Sequence, residues 1–164
     1  MGKIYFLASR KVARKVPKTT VYDVAKSFLA IAPMTHKKLQ KLCYYAYSWY
    51  LTLYDEPLFE NRFEAWVHGP VDPGLYNEFK RYGWQEIPKI EHPPLDGELF
   101  EFVQEVYEAY GHLDGDELEY LTHHEEPWME ARQGLQPYEP CNNPIKDEVI
   151  RSYYLKVFES EQNE

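Results

Sequence analysis

The chain has 164 residues, enough for one compact domain with a single sizeable core and too few for two full domains. Its net charge of −9 is unevenly spread: residues 1–18 carry Lys3, Arg10, Lys11, Arg14, Lys15 and Lys18 and no acid, which leaves residues 19–164 with 27 acids against 12 bases. A body that acidic repels nucleic acid and anionic membranes and suits a basic protein partner.

Residues 1–18 read as a basic arm. Thr19 or Thr20 then caps a first helix with Val21, Val24, Ala25, Phe28 and Leu29 on one face, ended by Ala32-Pro33. Thr35 caps a longer helix whose apolar stripe runs Leu39, Leu42, Cys43, Ala46, Tyr50 and Leu53, with Lys37, Lys38 and Lys41 off the stripe. Tyr44, Tyr45, Tyr47 and Trp49 cover its other faces, so this helix is either central or partner-facing. From Phe63 the period becomes two, which predicts a short strand ended by Gly69-Pro70. Asp72-Pro73 opens a helix through Leu75, Tyr76 and Phe79. Residues 83–96 hold three prolines and read as a loop with room for another short extended piece. Asp96 caps a helix with Leu99, Phe102, Val103, Val106 and Tyr110 inward, stopped at Gly111. Asp114 caps the next, and Glu126-Pro127 starts a short one. Asn143-Pro144 opens the last, with Ile145, Val149, Ile150, Tyr153 and Val157 on its apolar face. The sum is a mainly α, single compact domain of about seven helices with one or two short β-strands.

A search for reactive chemistry finds little. His123-His124-Glu125-Glu126 is the one dense cluster, but adjacent histidines point about 100° apart on a helix, so the two-histidine zinc spacing is missing. The serines lack a nucleophile-elbow context, and no Gly-rich loop cradles phosphate. Cys43 lies on an apolar helix stripe and Cys141 in a loop, with neither a metal-ligand spacing nor a disulfide framework, which suits a reducing cytoplasm. The run Ile4–Ala8 is too short for a signal core or a membrane span. No catalytic residue, metal site or cofactor is therefore assigned. Against this stands the aromatic share of 16%, with 15 Tyr and 4 Trp, which favours a surface that contacts something. Residues 91–140 add 14 acids and a single base, Arg132. The sharpest local signal is Trp66-Val67-His68-Gly69-Pro70-Val71: glycine and proline make a structural corner, and His68 beside it is a candidate recognition residue.

Four separated segments resemble one known family. Thr35, Leu39-Gln40-Lys41-Leu42, Tyr44-Tyr45-Ala46 and Trp49 resemble the opening helix of the Panacea domain family of SocA-like and GepA-like phage-associated antitoxins. Leu58-Phe59, Phe63, Ala65-Trp66 and His68-Gly69-Pro70-Val71 are similar to its central motif, and Leu75-Tyr76 with Phe79 to the helix that follows. Leu121-Thr122-His123, Glu125, Pro127-Trp128 and Ala131-Arg132 are similar to its C-terminal signature. The resemblance covers about residues 20–158 and implies a helical antitoxin domain, here spanning 19–160. It implies a cognate toxin, of which alarmone-synthetase-like and other translation-inhibiting enzymes are examples, neutralised by direct contact. A protease or chaperone system is a further partner that it implies.

The expected function is thus protein binding, with no catalysis, by a soluble cytoplasmic antitoxin. Tyr44, Tyr45, Tyr47, Trp49, Trp66, His68 and Trp84 are the expected partner-binding anchors, because Tyr and Trp dominate binding hot spots. Gly69, Pro70, Thr122, His123, Pro127 and Trp128 serve either folding or binding. Two rivals stand beside this reading: a small metal-dependent hydrolase using His68, His123, His124 and Glu125, and a nucleic-acid-binding regulator working through the basic arm.

Overall fold

The chain enters its first helix through a hydroxyl cap. In the computed structural model, which describes residues 15–163, the Thr20 side chain accepts from the Asp23 N–H at 3.2 Å and starts α1 (Val21–Ile31). The predicted face of α1 is the buried one, and the extended Ala32 before Pro33 ends the helix. Thr35 repeats the device, accepting from the Lys38 N–H, and opens α2 (His36–Tyr54). Of the two readings left open for α2, it takes the central one: every residue from Leu39 to Ser48 is buried. The stripe read from the sequence is too narrow, since Lys41 lies inside as well. The helix ends at Asp55 in the left-handed region, φ 53°.

Beyond it, β1 (Glu64–Trp66) pairs antiparallel with β2 (Gly69–Val71), in the register Glu64 with Val71, Ala65 with Pro70 and Trp66 with Gly69. Gly69-Pro70 was expected to end a lone strand; it forms the returning strand instead, across a turn at Val67-His68. A two-stranded ribbon has only edge strands, so a proline costs it little. Gly69 has φ 109°, a region closed to ordinary side chains. The outer edge of β1 is covered too: Ala65 N–H donates to Asn143 O and Ile145 N–H to Phe63 O, both at 2.9 Å. This corrects the start of the last helix, because Asn143–Ile145 is spent on capping the sheet edge.

Asp72 accepts from Leu75 N–H at 3.0 Å and, with Pro73 in the first turn, starts α3 (Pro73–Phe79), which runs into a 3-10 turn at Lys80–Tyr82. The following loop supplies its extended piece at Ile87, bridged to Met34. Then come α4 (Gly97–Tyr110), α5 (Gly115–His123) with a full capping box between Asp114 and Glu117, α6 (Glu126–Ala131) and α7 (Asp147–Gln162). Asp96 precedes α4 without making a side-chain cap bond, and Gly111 stays right-handed at the end of that helix.

The other elements surround α2, which packs against α1, α3, α4, α5, α7 and β2. Its tyrosines therefore become core. Tyr44, Tyr45 and Tyr47 are at most 1% exposed, so they present no surface to a partner, contrary to the expectation that they are anchors. Their rings meet Phe59, Phe63, Tyr110 and Tyr154 at centroid separations of 4.1–6.3 Å. Gln40, also buried, joins α2 to the end of the hairpin by two 2.9 Å bonds, donating to Asp72 O and accepting from Asp72 N–H.

A Cβ added at Gly69 would stand 2.5 Å from Lys41 Cε and 3.0 Å from Thr122 Oγ1, in a backbone region unsuited to it. Gly69→Ala is expected to lower stability by about 2–3 kcal/mol. Urea unfolding measures this, and an unchanged midpoint would contradict the close approach described.

Candidate functional site

The C-terminal signature and the hairpin converge on one another. The Trp128 indole donates to Trp66 O at 2.8 Å, fastening α6 to the end of β1. The His123 ring stacks on Trp128 with centroids 3.9 Å apart and planes 14° from parallel. The Arg132 guanidinium lies 4.9 Å from the same indole. It donates to Ala65 O at 2.8 Å, and also to Gln136 O and Glu139 O at 3.0 and 2.6 Å. A planar five-donor fork suits such a cluster of carbonyls better than an ammonium does. Thr122 bonds back to Glu119 O at 2.9 Å and faces Gly69, while Pro127 is buried in the first turn of α6. Gly69, Pro70, Thr122, His123, Pro127 and Trp128 thus lie together where the hairpin meets the α5–α6 corner, forming one clamp.

Two ionisable groups are buried beside this clamp. Lys41 is 1% exposed, and its ammonium donates to Pro70 O at 3.2 Å. Burial, with Lys37 nearby, pulls it down from 10.5 to about 7. Glu125 receives Tyr45 O–H at 2.7 Å and Tyr154 O–H at 2.9 Å on one oxygen, with the Tyr44 hydroxyl 3.2 Å from that of Tyr154. Burial pushes Glu125 up from 4.5 to about 7, and the two hydroxyls limit the rise. The residues proposed for a metal are each engaged in contacts of their own. His68 is exposed with Nδ1 3.0 Å from Glu119, His123 lies on Trp128, His124 Nδ1 is 2.7 Å from Tyr120 O, and Glu125 faces inward. Among the described residues, no group of three or more His, Cys, Asp or Glu is placed to hold a metal ion.

Of the remaining expected anchors, Trp66 and His68 lie together and Trp49 and Trp84 do not join them. Trp84 is 86% exposed. Trp49 is half-buried and donates to the Tyr110 hydroxyl at 2.7 Å. Trp66 is half-buried against Tyr76, and with His68, Pro140 and Cys141 it lines an open groove of about 640 Å³. Sequence reasoning missed Tyr120 and Met129, which are 69% and 51% exposed on α5 and α6. The clue was present: Tyr120 lies off the Leu118–Thr122 face that α5 buries. In the arm, Lys15 and Lys18 pair with Asp55 and Glu56 at 3.0 Å each; Lys3, Arg10, Lys11 and Arg14 lie outside the described residues. No helix among the described residues is long and apolar enough to cross a membrane.

Residues 39–129 match the family described as Antitoxin SocA-like, Panacea domain. The chain belongs to the SocA-like antitoxin family. It is 30% identical over 136 residues to Antitoxin SocA of Caulobacter vibrioides (strain NA1000 / CB15N), an alignment covering 74% of this chain and 72% of that protein. No solved structure gives a significant match. The matched Panacea segment runs from the first turn of α2 to α6, so it contains Lys41, the hairpin and Glu125.

The two buried charges respond oppositely to pH. Between about 4.5 and 7 the unfolded chain loses a Glu125 proton that the folded chain keeps, so this group lowers stability as pH rises through that window. Glu125→Gln keeps the acceptor oxygen and is expected to gain on the parent by about 2–3 kcal/mol across it. Lys41 is costly to charge in the fold; its penalty is full below about 7 and fades as pH rises towards 10.5. The stability of Lys41→Met relative to the parent is therefore expected to fall over that range. Denaturant midpoints across a pH series check both, and parallel curves for variant and parent would refute the burial described.

Proposed function

We propose that this SocA-like protein neutralises a cognate toxin protein by direct contact, acting through binding and carrying out no chemical step of its own. Family membership is the observation that carries the reading, together with the name of the relative, an antitoxin. The distribution of charge supports it: the acidic stretch 91–140 supplies a field that speeds encounter with a basic protein. Of the expected anchors, Trp84 and His68 are exposed and Trp49 and Trp66 are half-buried, so these four still have surface to offer. The toxin class that goes with this reading is a translation-inhibiting enzyme, such as an alarmone-synthetase-like one, met in the cytoplasm.

Toxins of this kind are encoded beside their antitoxins, so the test uses the product of the adjacent reading frame. Its induction alone is expected to stop growth, and co-expression of this chain to restore colony formation to the uninduced level. Complex formation between the purified proteins separates direct inhibition from delivery to a protease: the first blocks toxin activity in the purified mixture, the second shortens the toxin's lifetime only in cells. If the neighbouring product is harmless, or is toxic but neither relieved nor bound by this chain, the reading is wrong.

A further inference from the structure

We infer that the outer face of α5 and α6, centred on Tyr120 and Met129, is the docking surface for a basic patch of the partner protein, one in which Lys or Arg side chains flank an apolar residue. The inference rests on the antitoxin reading above and gives it a place on the molecule.

Three observations meet on this face. The first is apolar exposure. Tyr120 and Met129 are among the large hydrophobic side chains left in solvent, and both residue types, Tyr and Met, are enriched at protein interfaces. Two shallow depressions lie here, of about 440 and 460 Å³. Leu113, Tyr120 and Leu121 supply apolar walls to one, and Met129 and Tyr153 to the other.

The second is preorganisation. Tyr120 and His124, which line one depression each, meet with ring centroids 4.3 Å apart and planes tilted by 39°, and His124 Nδ1 lies 2.7 Å from Tyr120 O. The two depressions are thereby joined by a pair of rings held by the helix end itself. Rings fixed before binding lose little freedom when a partner covers them.

The third is charge. Asp116 and Glu117 edge the first depression, Glu126 and Glu130 the second, and neither Lys nor Arg lines either one. Lys37 reaches Asp116 at 2.6 Å from α2, but Glu126 and Glu130 have no ion-pair partner among the described residues. An acidic rim around an apolar centre selects a partner of the opposite pattern. A second acidic groove, between the end of α2 and α4, has Glu98, Glu101 and Glu105 above Tyr50, Tyr54 and Phe102. The chain's own Lys18 already lines it, paired with Glu56 at 3.0 Å, so the α5–α6 face has the stronger claim to an external cation.

The test measures binding of the full chain to the purified product of the adjacent reading frame, at salt of about 0.05 M and about 0.5 M. Tyr120→Ala with Met129→Ala is expected to raise Kd by about 10- to 100-fold at both salts. Glu126→Lys with Glu130→Lys is expected to slow association about tenfold at low salt and much less at high salt. Glu101→Lys with Glu105→Lys makes the same change of net charge on the other groove and is expected to have the smaller effect. Circular dichroism and melting confirm that each variant is folded; if a charge-reversed chain is not, the alanine pair decides. Wild-type affinity in the alanine pair, or equal losses from the two charge reversals, overturns the docking site and leaves the antitoxin reading standing. A parent chain that neither binds nor relieves the toxin overturns both.

Discussion

A helix wrapped by other elements over most of its length must find partners within the protein for the polar side chains it buries. That constraint falls on α2, and much of the rest of the fold answers it. Tyr45 requires an acceptor and finds Glu125; Tyr47 finds Asp147; Gln40 finds the backbone of Asp72; Lys41 finds the carbonyl of Pro70. These partners come from three separate parts of the chain, so the polar atoms of α2 specify where the hairpin, the α5–α6 corner and α7 sit. Apolar burial makes the core favourable, and these bonds select one arrangement of it.

Much of the helical framework was legible before any coordinates. Threonine and aspartate caps at Thr20, Thr35, Asp72 and Asp114 lie where the sequence places them, and the apolar face of α1 is the buried one. Two features misled. Aromatic richness on α2 read as surface, yet tyrosine rings are mostly apolar and their hydroxyls can be satisfied inside, so they make core when partners are supplied. Asn143-Pro144 read as a helix start, yet an unpaired sheet edge claimed that segment first. Both outcomes depend on residues about a hundred or eighty positions away, as Tyr47 with Asp147 and Phe63 with Ile145 show, and no local window contains them. The clamp was legible as a set of motif residues, but its geometry was not, because stacking of His123 on Trp128 says nothing until the corner between α5 and α6 is formed.

The same separation explains why the exposed face on α5 and α6 escaped attention while the buried tyrosines attracted it. Residue type alone ranks Tyr44 and Tyr120 equally. What distinguishes them is the company each keeps: Tyr44 lies on a helix wrapped by other elements, Tyr120 on a short one with its outer side left to solvent. An acidic rim close to exposed rings then gives that outer side a direction of preference that the buried rings could never have.

The third strand-like segment, Asn143–Ile145, has a bearing on how the protein is made. The segment that matches the family ends at Glu130's neighbour, Met129, yet β1 has its outer backbone groups unpaired until residue 145 arrives, and Glu125 lacks one of its two hydroxyl donors until Tyr154 does. A nascent chain leaving the ribosome can therefore pair β1 with β2 early, but it cannot cover the outer edge of β1 or complete the bonds to that carboxyl until residues 145 and 154 have been synthesised. Residues 39–129 are the stretch shared with the family, and the cover for β1 and one donor to Glu125 come from beyond it.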